Sequence, residues 1–183
     1  MTGLSEITLK RMPKSLIAGL LLSTVAMPTL AQAEASSTLK KEAIAGVDAR
    51  AKMVQEMVDS VFSFAEPGFQ EVKTSEYLTG ILEKNGFTIT RGAAGIPTAW
   101  TATWGEGGPL IALGSDIDGL LGLSQAPGSA KIVPQVEGAP GHGEGHNSGM
   151  PLMIAAALAA KDVMVRNNIK GRLMLWPGVA EEL

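Results

Sequence analysis

Both histidines of the 183-residue chain lie in one glycine-rich stretch, PGHGEGHNSGM at 140–150. His142, Glu144 and His146 alternate there with glycines, so an extended backbone would project their side chains to one side. Glycine also lets a backbone bend closely around an ion. Imidazole and carboxylate are ligands of Zn²⁺ and Mn²⁺. The spacing therefore predicts a metal site, and a flexible polar loop is the alternative that it leaves open.

Two pairs of acidic residues accompany apolar segments that resemble strands. Asp116 and Asp118, in SDID, would share one face of an extended strand, where their charges repel unless a cation or an imidazole lies between them. Glu181 and Glu182 follow the apolar segment RLMLWPGV. One of these two could bind a metal while the other acts as a general base on water. Each pair taken alone is also typical of a solvated turn.

The three clusters share a position relative to the predicted elements. Each comes either at the end of a predicted strand or directly before a predicted helix. Open α/β sheets place their binding sites at these ends. The joint pattern therefore favours one shared site more strongly than any single cluster does.

The elements that must position these clusters follow from hydrophobic periodicity and turn signals. Helices are predicted over 38–66, over 71–87 with a C-terminal cap at Asn85–Gly86, and over GMPLMIAAALAAKDVMVRN with Asn147 or Ser148 as its N-cap. Strands are predicted at 87–92, 98–104, 109–120 and in RLMLWPGV. The GEGG turn predicts an antiparallel hairpin between the second and third strands, and no periodic element is expected over 121–146.

Composition limits the functional class. The chain carries a net charge of −3 at pH 7 and no basic cluster, which argues against nucleic acid as a partner. It has no cysteine, so core packing without disulfides must stabilise it.

The N-terminal segment, 1–33, is typical of a signal peptide. Basic residues precede the apolar run SLIAGLLLSTVAM, and AQA at 31–33 has the small-x-small pattern of a cleavage site. The apolar run is too short for an ordinary spanning helix. We expect an exported protein, periplasmic or secreted, with an N-terminal membrane anchor as the alternative.

Four ordered motifs resemble those of the M20 family of metallopeptidases and amidohydrolases, in the branch of proteins like aminobenzoyl-glutamate hydrolase. The motifs are FAEPGFQEVKTSEYL, GSDIDGL, VEGAPGHGEGHNSG and LWPGVAEEL. The resemblance runs from about Lys52 to Leu183. It implies an α/β fold: a three-layer, zinc-peptidase-like catalytic domain with a mixed sheet flanked by helices.

The resemblance also implies an activity. Family members are two-metal hydrolases, usually with zinc or manganese, that cleave an amide bond of an N-acyl amino acid or small peptide with metal-activated water. A homodimer is expected for the full-length protein only, and neither nucleic acid nor a stable membrane anchor is expected as a partner.

Residue roles carry over by motif position. Glu144 stands where this branch has a cysteine, and with His146 and Glu182 it is expected to bind metal. Glu181 matches the family's general base. Asp118 is expected to orient a metal ligand, whereas Asp116 and His142 are expected beside the ligands or facing the substrate.

One departure from the family bears on activity. The family draws further histidine ligands and a dimerisation domain from sequence beyond the paired glutamates, and this chain has neither. We therefore expect the segment 34–183 to be the N-terminal part of a truncated catalytic domain that is nearly inactive alone. The alternatives are a non-catalytic metal-binding or interaction module derived from the same fold, and a membrane-anchored periplasmic binding protein.

Overall fold

A computed structural model describes residues 30–183 of the chain, with side chains described from Glu34 onward. The predicted signal peptide, 1–33, lies outside the described residues except for 30–33. These last residues belong to the first helix, which continues past the expected cleavage site between 33 and 34. In chain order the elements are α1 (Leu30–Asp48), α2 (Ala51–Phe64), α3 (Val72–Lys84), β1 (Thr88–Arg91), β2 (Trp100–Glu106), β3 (Leu110–Asp116), α4 (His146–Arg166) and β4 (Gly171–Gly178).

The single helix predicted over 38–66 is wrong, because the helix is broken at Arg50. The Arg50 backbone leaves the helical region, with φ −102° and ψ 6°. Its guanidinium donates to the Gly46 carbonyl at 2.7 Å and pairs with Asp162 of α4 at 2.6 Å. Both α1 and α2 pack against α4. The break is thus fixed by a long-range ion pair that periodicity along 38–66 cannot reveal.

The four strands form one mixed sheet in the order β1-β2-β4-β3. β2 pairs antiparallel with β1 and β4, whereas β3 pairs parallel with β4. The mixed sheet flanked by helices, expected from the family resemblance, is confirmed. The antiparallel hairpin predicted between β2 and β3 is wrong, because β4 lies between them. The GEGG turn does reverse the chain, but a turn signal cannot show that a strand from later in the chain lies between the two strands that the turn connects.

Side chains along β4 alternate between a buried and a more exposed face of the sheet. Leu173 and Leu175 are buried in the core with Ala102 of β2, and side chains of α2, α3 and α4 pack with them. Arg172 and Trp176 project from the other side and are exposed. The helices therefore pack on the face that carries the leucines.

The helix α4 begins at His146, and the predicted cap at Asn147 or Ser148 is wrong. Gly145 is the N-cap residue, with φ +125°, and no side chain caps the helix. The Ser148 hydroxyl instead donates to the Gly145 carbonyl at 2.8 Å. Only glycine adopts such a φ at low cost, so the backbone and not a polar side chain begins the helix.

By length and mean hydropathy, α4 could also cross a membrane, the one helix of the described residues for which this holds. It contacts α1, α2, β3 and β4, and Met150, Ile154 and Ala155 along it are fully buried. Its apolar character is therefore accounted for by its position in the core.

Candidate metal centre

The carboxyl ends of β3 and β4 bring the two acidic pairs together. Asp116 is the register partner of Gly178, and the Ile117 amide donates to the Gly178 carbonyl at 3.1 Å. Parallel strands end at the same edge of a sheet, so the segment after β3 lies beside the segment after β4. This edge carries Asp116 and Asp118 from one strand and Glu181 and Glu182 from the other.

The loop over 121–145 returns to this edge and delivers the third cluster. No helix or strand forms in it, as predicted, but Leu120 and Gly141 exchange two backbone hydrogen bonds of 3.0 and 2.9 Å. A Cβ atom on Gly141 would overlap the Leu123 carbonyl. The glycine is therefore needed for the close approach that sets the start of α4 against the strand ends.

His146 is the centre of the cluster and is 8% exposed. Its Nδ1 lies 3.1 Å from the Asp118 carbonyl oxygen, which can only accept, so Nδ1 carries a proton and donates. Its Nε2 lies 2.9 Å from a Glu144 carboxylate oxygen and 3.9 Å from one of Asp116. An imidazole lone pair and a carboxylate oxygen do not approach so closely unless they share a proton or a cation. The tautomer leaves Nε2 as the nitrogen that can bind a metal.

The paired glutamates face the same imidazole. One ligand atom from each of His146, Glu181 and Glu182 falls within 4.8 Å of the others. Glu182 is 16% exposed at its side chain, and its carboxylate lies 4.0 Å from His146 Nδ1. Burial raises the pKa of Glu182, and the neighbouring acids, Glu181 first among them, raise it further, while His146 opposes the rise.

Asp118 fixes the glutamate segment through the main chain. One of its carboxylate oxygens accepts the Glu182 amide at 2.9 Å, and the other lies 3.3 Å from His146 Nδ1. Its side chain is fully buried. Asp118 thus orients both a ligand imidazole and the backbone that carries the paired glutamates, which extends its expected role.

His142 does not join the acidic cluster. Its Nε2 lies 3.1 Å from the Val61 carbonyl, and its ring centroid lies 6.4 Å from that of Phe62. Burial lowers the pKa of His142, which favours the neutral ring. His142 therefore attaches the loop to α2, a contact that its position in the motif does not reveal.

The cluster carries five carboxylates around one imidazole: Asp116, Asp118, Glu144, Glu181 and Glu182. Among the described residues, no lysine or arginine nitrogen lies within 4.0 Å of any of them. Gathered carboxylates repel one another in this setting unless a cation compensates them. The nitrogen and oxygen donors fit a hard or borderline divalent ion such as Mn²⁺ or Zn²⁺. The residues present therefore fit a metal.

Two acids in the FAEPGFQEVKTSEYL motif support the site, and the sequence reasoning gave neither a role. Glu71 is fully buried and accepts the Ala180 amide at 3.0 Å, directly before the paired glutamates. The Glu66 carboxylate accepts the amides of Lys73 and Thr74, each at 2.9 Å, in the first turn of α3. Glu66 lies six residues before the first residue of α3, whereas the N-cap position is Glu71, so no capping signal identifies Glu66 from the sequence. Nothing local indicates that Glu71 reaches residue 180.

Removing the Glu71 carboxylate should loosen the turn that presents the glutamates. Glu71→Ala leaves the Ala180 amide without its acceptor, so we expect the free energy of unfolding to fall by about 1–3 kcal/mol and the Ala180 amide to exchange faster with deuterium. Glu71→Gln retains an acceptor of the same reach and is the matched control. Urea unfolding and amide exchange measure both effects. Unchanged Ala180 exchange in Glu71→Ala would contradict this role.

Comparison with known proteins identifies the fold to which this centre belongs. No family model matches the chain. It is 38% identical over 136 residues to a subunit of p-aminobenzoyl-glutamate hydrolase from Escherichia coli (strain K12), a match that covers 74% of this chain but 28% of that protein. The chain therefore spans less than a third of the length of this curated relative.

Solved structures agree with this relationship. The chain is 25% identical, with a TM-score of 0.59, to the Bacillus subtilis YXEP protein, described as a dinuclear metal-binding peptidase from the M20 family; the match covers 74% of this chain and 36% of that one. The aminobenzoyl-glutamate utilization protein of Klebsiella pneumoniae shares the fold at 16% identity, with a TM-score of 0.51, over 77% of this chain and 40% of that one. Over the part of those proteins that it spans, the chain belongs to the M20 family of metallopeptidases and amidohydrolases.

Proposed function

We propose that this chain carries part of the metal centre of an amidohydrolase that cleaves an amide bond of an N-acyl amino acid or small peptide. The observation that carries the proposal is the convergence of His146, Glu181 and Glu182, with a ligand atom of each within 4.8 Å of the others. The hydrolase and dinuclear peptidase descriptions of two relatives support it.

Within this proposal, His146 Nε2, Glu144 and Glu182 hold a divalent ion, either Zn²⁺ or Mn²⁺. A bound ion supplies Lewis-acid chemistry, which polarises an amide carbonyl and acidifies water. The chain's own residues provide the rest. Asp118 holds the imidazole and the Glu182 backbone in place, and the exposed carboxylate of Glu181 takes the proton from the attacking water.

The chain alone should be a poor catalyst. Of its two histidines, one contacts the Val61 carbonyl, so a single imidazole faces the carboxylates. A second metal and a substrate clamp would need groups from elsewhere in the protein. We propose that amidase activity requires a protein of the relatives' length, in which a homodimer also forms, and that the N-terminal segment 1–33 exports it to the periplasm or beyond.

The single imidazole also favours a second candidate function. A non-catalytic metal-binding module would keep the Glu144, His146 and Glu182 cluster without further histidines. Both candidate functions require metal binding, but only the first includes hydrolysis. The first experiment below therefore tests the metal site, and the second separates the two functions.

Metal binding by the chain is the first expectation. Titration calorimetry with Mn²⁺ and with Zn²⁺ should give saturable binding, and at 100 times the Kd the ion should stabilise the fold by about 2.7 kcal/mol. Glu182→Gln should weaken binding by at least about 10-fold, by analogy with lost metal-site partners. Glu137→Gln, an exposed acid of the same loop, is the matched control. Equal affinities for both variants would contradict the assignment.

Hydrolysis separates the two candidate functions. In a protein of the relatives' length that contains this segment, Glu181→Gln should lower the rate on p-aminobenzoyl-glutamate or N-acetyl amino acids by about 10²- to 10⁴-fold. The metal content should stay unchanged, because Glu181 receives the proton and does not hold the ion. If the unsubstituted long protein binds metal and hydrolyses none of these substrates, the non-catalytic module is the correct function.

A further inference from the structure

A tight turn over 67–70 lies against the segment 180–183, which carries the paired glutamates. A Cβ atom on Gly68, the second residue of this turn, would come within 2.7 Å of Ala180 Cα and 2.8 Å of Leu183 Cδ1. Non-bonded carbon atoms pack at about 3.5–4.0 Å, so only a residue without a side chain allows this approach. Gly68 therefore packs against both ends of the segment, and the two glutamates lie between these contacts.

The backbone conformation of the turn does not account for the glycine. The Gln70 amide donates to the Pro67 carbonyl at 3.0 Å and closes the turn. Within it, Phe69 is the residue in the left-handed region that favours glycine, with φ +61°, whereas Gly68 lies outside that region. The structure therefore requires the missing side chain of Gly68 and not its conformational freedom.

The other side of the turn is fixed to the segment that follows β3. The Gly119 amide donates to the Glu66 carbonyl at 2.9 Å, and Gly119 also forms a bridge with Pro67. The Glu66 carboxylate accepts two amides in the first turn of α3. Residues 66–68 thus lie between the segment that carries Asp118 and the segment that carries the glutamates.

We propose that Gly68 is a positioning residue of the metal centre, because its missing side chain sets the distance between Asp118 and the paired glutamates. This inference rests on the proposed function. The Glu182 amide donates to Asp118 at 2.9 Å and so joins the two segments between which Gly68 lies. A methyl group added at residue 68 would displace the glutamate segment, since the opposite side is anchored. The Glu182 carboxylate would then move relative to His146.

Metal binding by Gly68→Ala is the first test. We expect titration calorimetry to show Zn²⁺ binding weakened by at least about 10-fold, as for other groups that orient metal ligands, at a temperature at which the protein stays folded. Gly80→Ala should leave the affinity unchanged. It is the matched control, because a Cβ atom on Gly80 in α3 would meet no atom within 4 Å.

A second substitution tests whether Gly68 acts through Glu182. In the Glu182→Gln protein, Gly68→Ala should change the Zn²⁺ affinity by less than about 2-fold, because the ligand that it displaces is already lost. Should Gly68→Ala not fold, Gly68→Ala combined with Ala180→Gly takes its place in every comparison. The Ala180 Cβ, which the added methyl group would meet at 2.8 Å, is then absent.

Amide exchange in the metal-free protein distinguishes this inference from the proposed function. In Gly68→Ala the Glu182 amide should exchange at least about 10-fold faster, as its hydrogen bond to a carboxylate weakens. The amide of Leu175, buried in the sheet, should change only as the free energy of unfolding requires.

Three results would each overturn the inference: unchanged exchange of the Glu182 amide, an equal acceleration of the Glu182 and Leu175 amides, or an equal effect of Gly68→Ala on Zn²⁺ affinity with and without Glu182→Gln. If the original chain binds no Zn²⁺, the proposed function fails. The exchange of the Glu182 amide then still decides whether Gly68 positions the glutamate segment.

Discussion

The parallel pairing of β3 with β4 is the constraint on which the candidate centre depends. Its register sets Asp116 opposite Gly178, and the hydrogen bond from Ile117 to Gly178 continues the pairing past the end of β3. A slip by one residue would turn the alternating side chains to the opposite face and carry the Asp-x-Asp pair away from the glutamates. The buried leucines of β4 oppose such a slip, because it would expose them. Core packing therefore sets the geometry of the site.

The centre is held together mainly by hydrogen bonds that backbone amides donate to carboxylates. Asp118 accepts the Glu182 amide and Glu71 accepts the Ala180 amide, so two buried carboxylates hold the short segment that carries the paired glutamates. Hydrogen bonds to charged acceptors are stronger than neutral ones, but they leave the excess negative charge in place. The same arrangement that orders the segment thus makes a cation favourable there, which links the stability of the fold to metal binding.

Local signals in the sequence predicted the local structure well. Helix α3, its end at Asn85 and the positions of all four strands follow from periodicity and turn residues, as does the lack of regular structure over 121–145. The errors concern distant partners. The break at Arg50 depends on Asp162, and the missing hairpin depends on β4, which comes much later in the chain than the turn between β2 and β3. The start of α4 at His146 depends on the backbone conformation of Gly145 and not on a capping side chain.

In the candidate site, too, local patterns were predicted from the sequence and contacts between distant residues were not. Alternation with glycine and the position after strands were enough to single out the acids and His146, because those patterns are local. The roles of Glu71 and His142 depend on contacts to Ala180 and Val61, which are distant in sequence in each case, and the sequence carries no sign of them.

The idea that Glu144, His146 and Glu182 share one cation is tested most directly by a crystal structure of the chain grown with Zn²⁺, with anomalous diffraction at the zinc edge. We predict a zinc peak about 2.0–2.2 Å from His146 Nε2 and from a Glu182 carboxylate oxygen. A fully loaded crystal with zinc bound elsewhere, and none at His146, would contradict it.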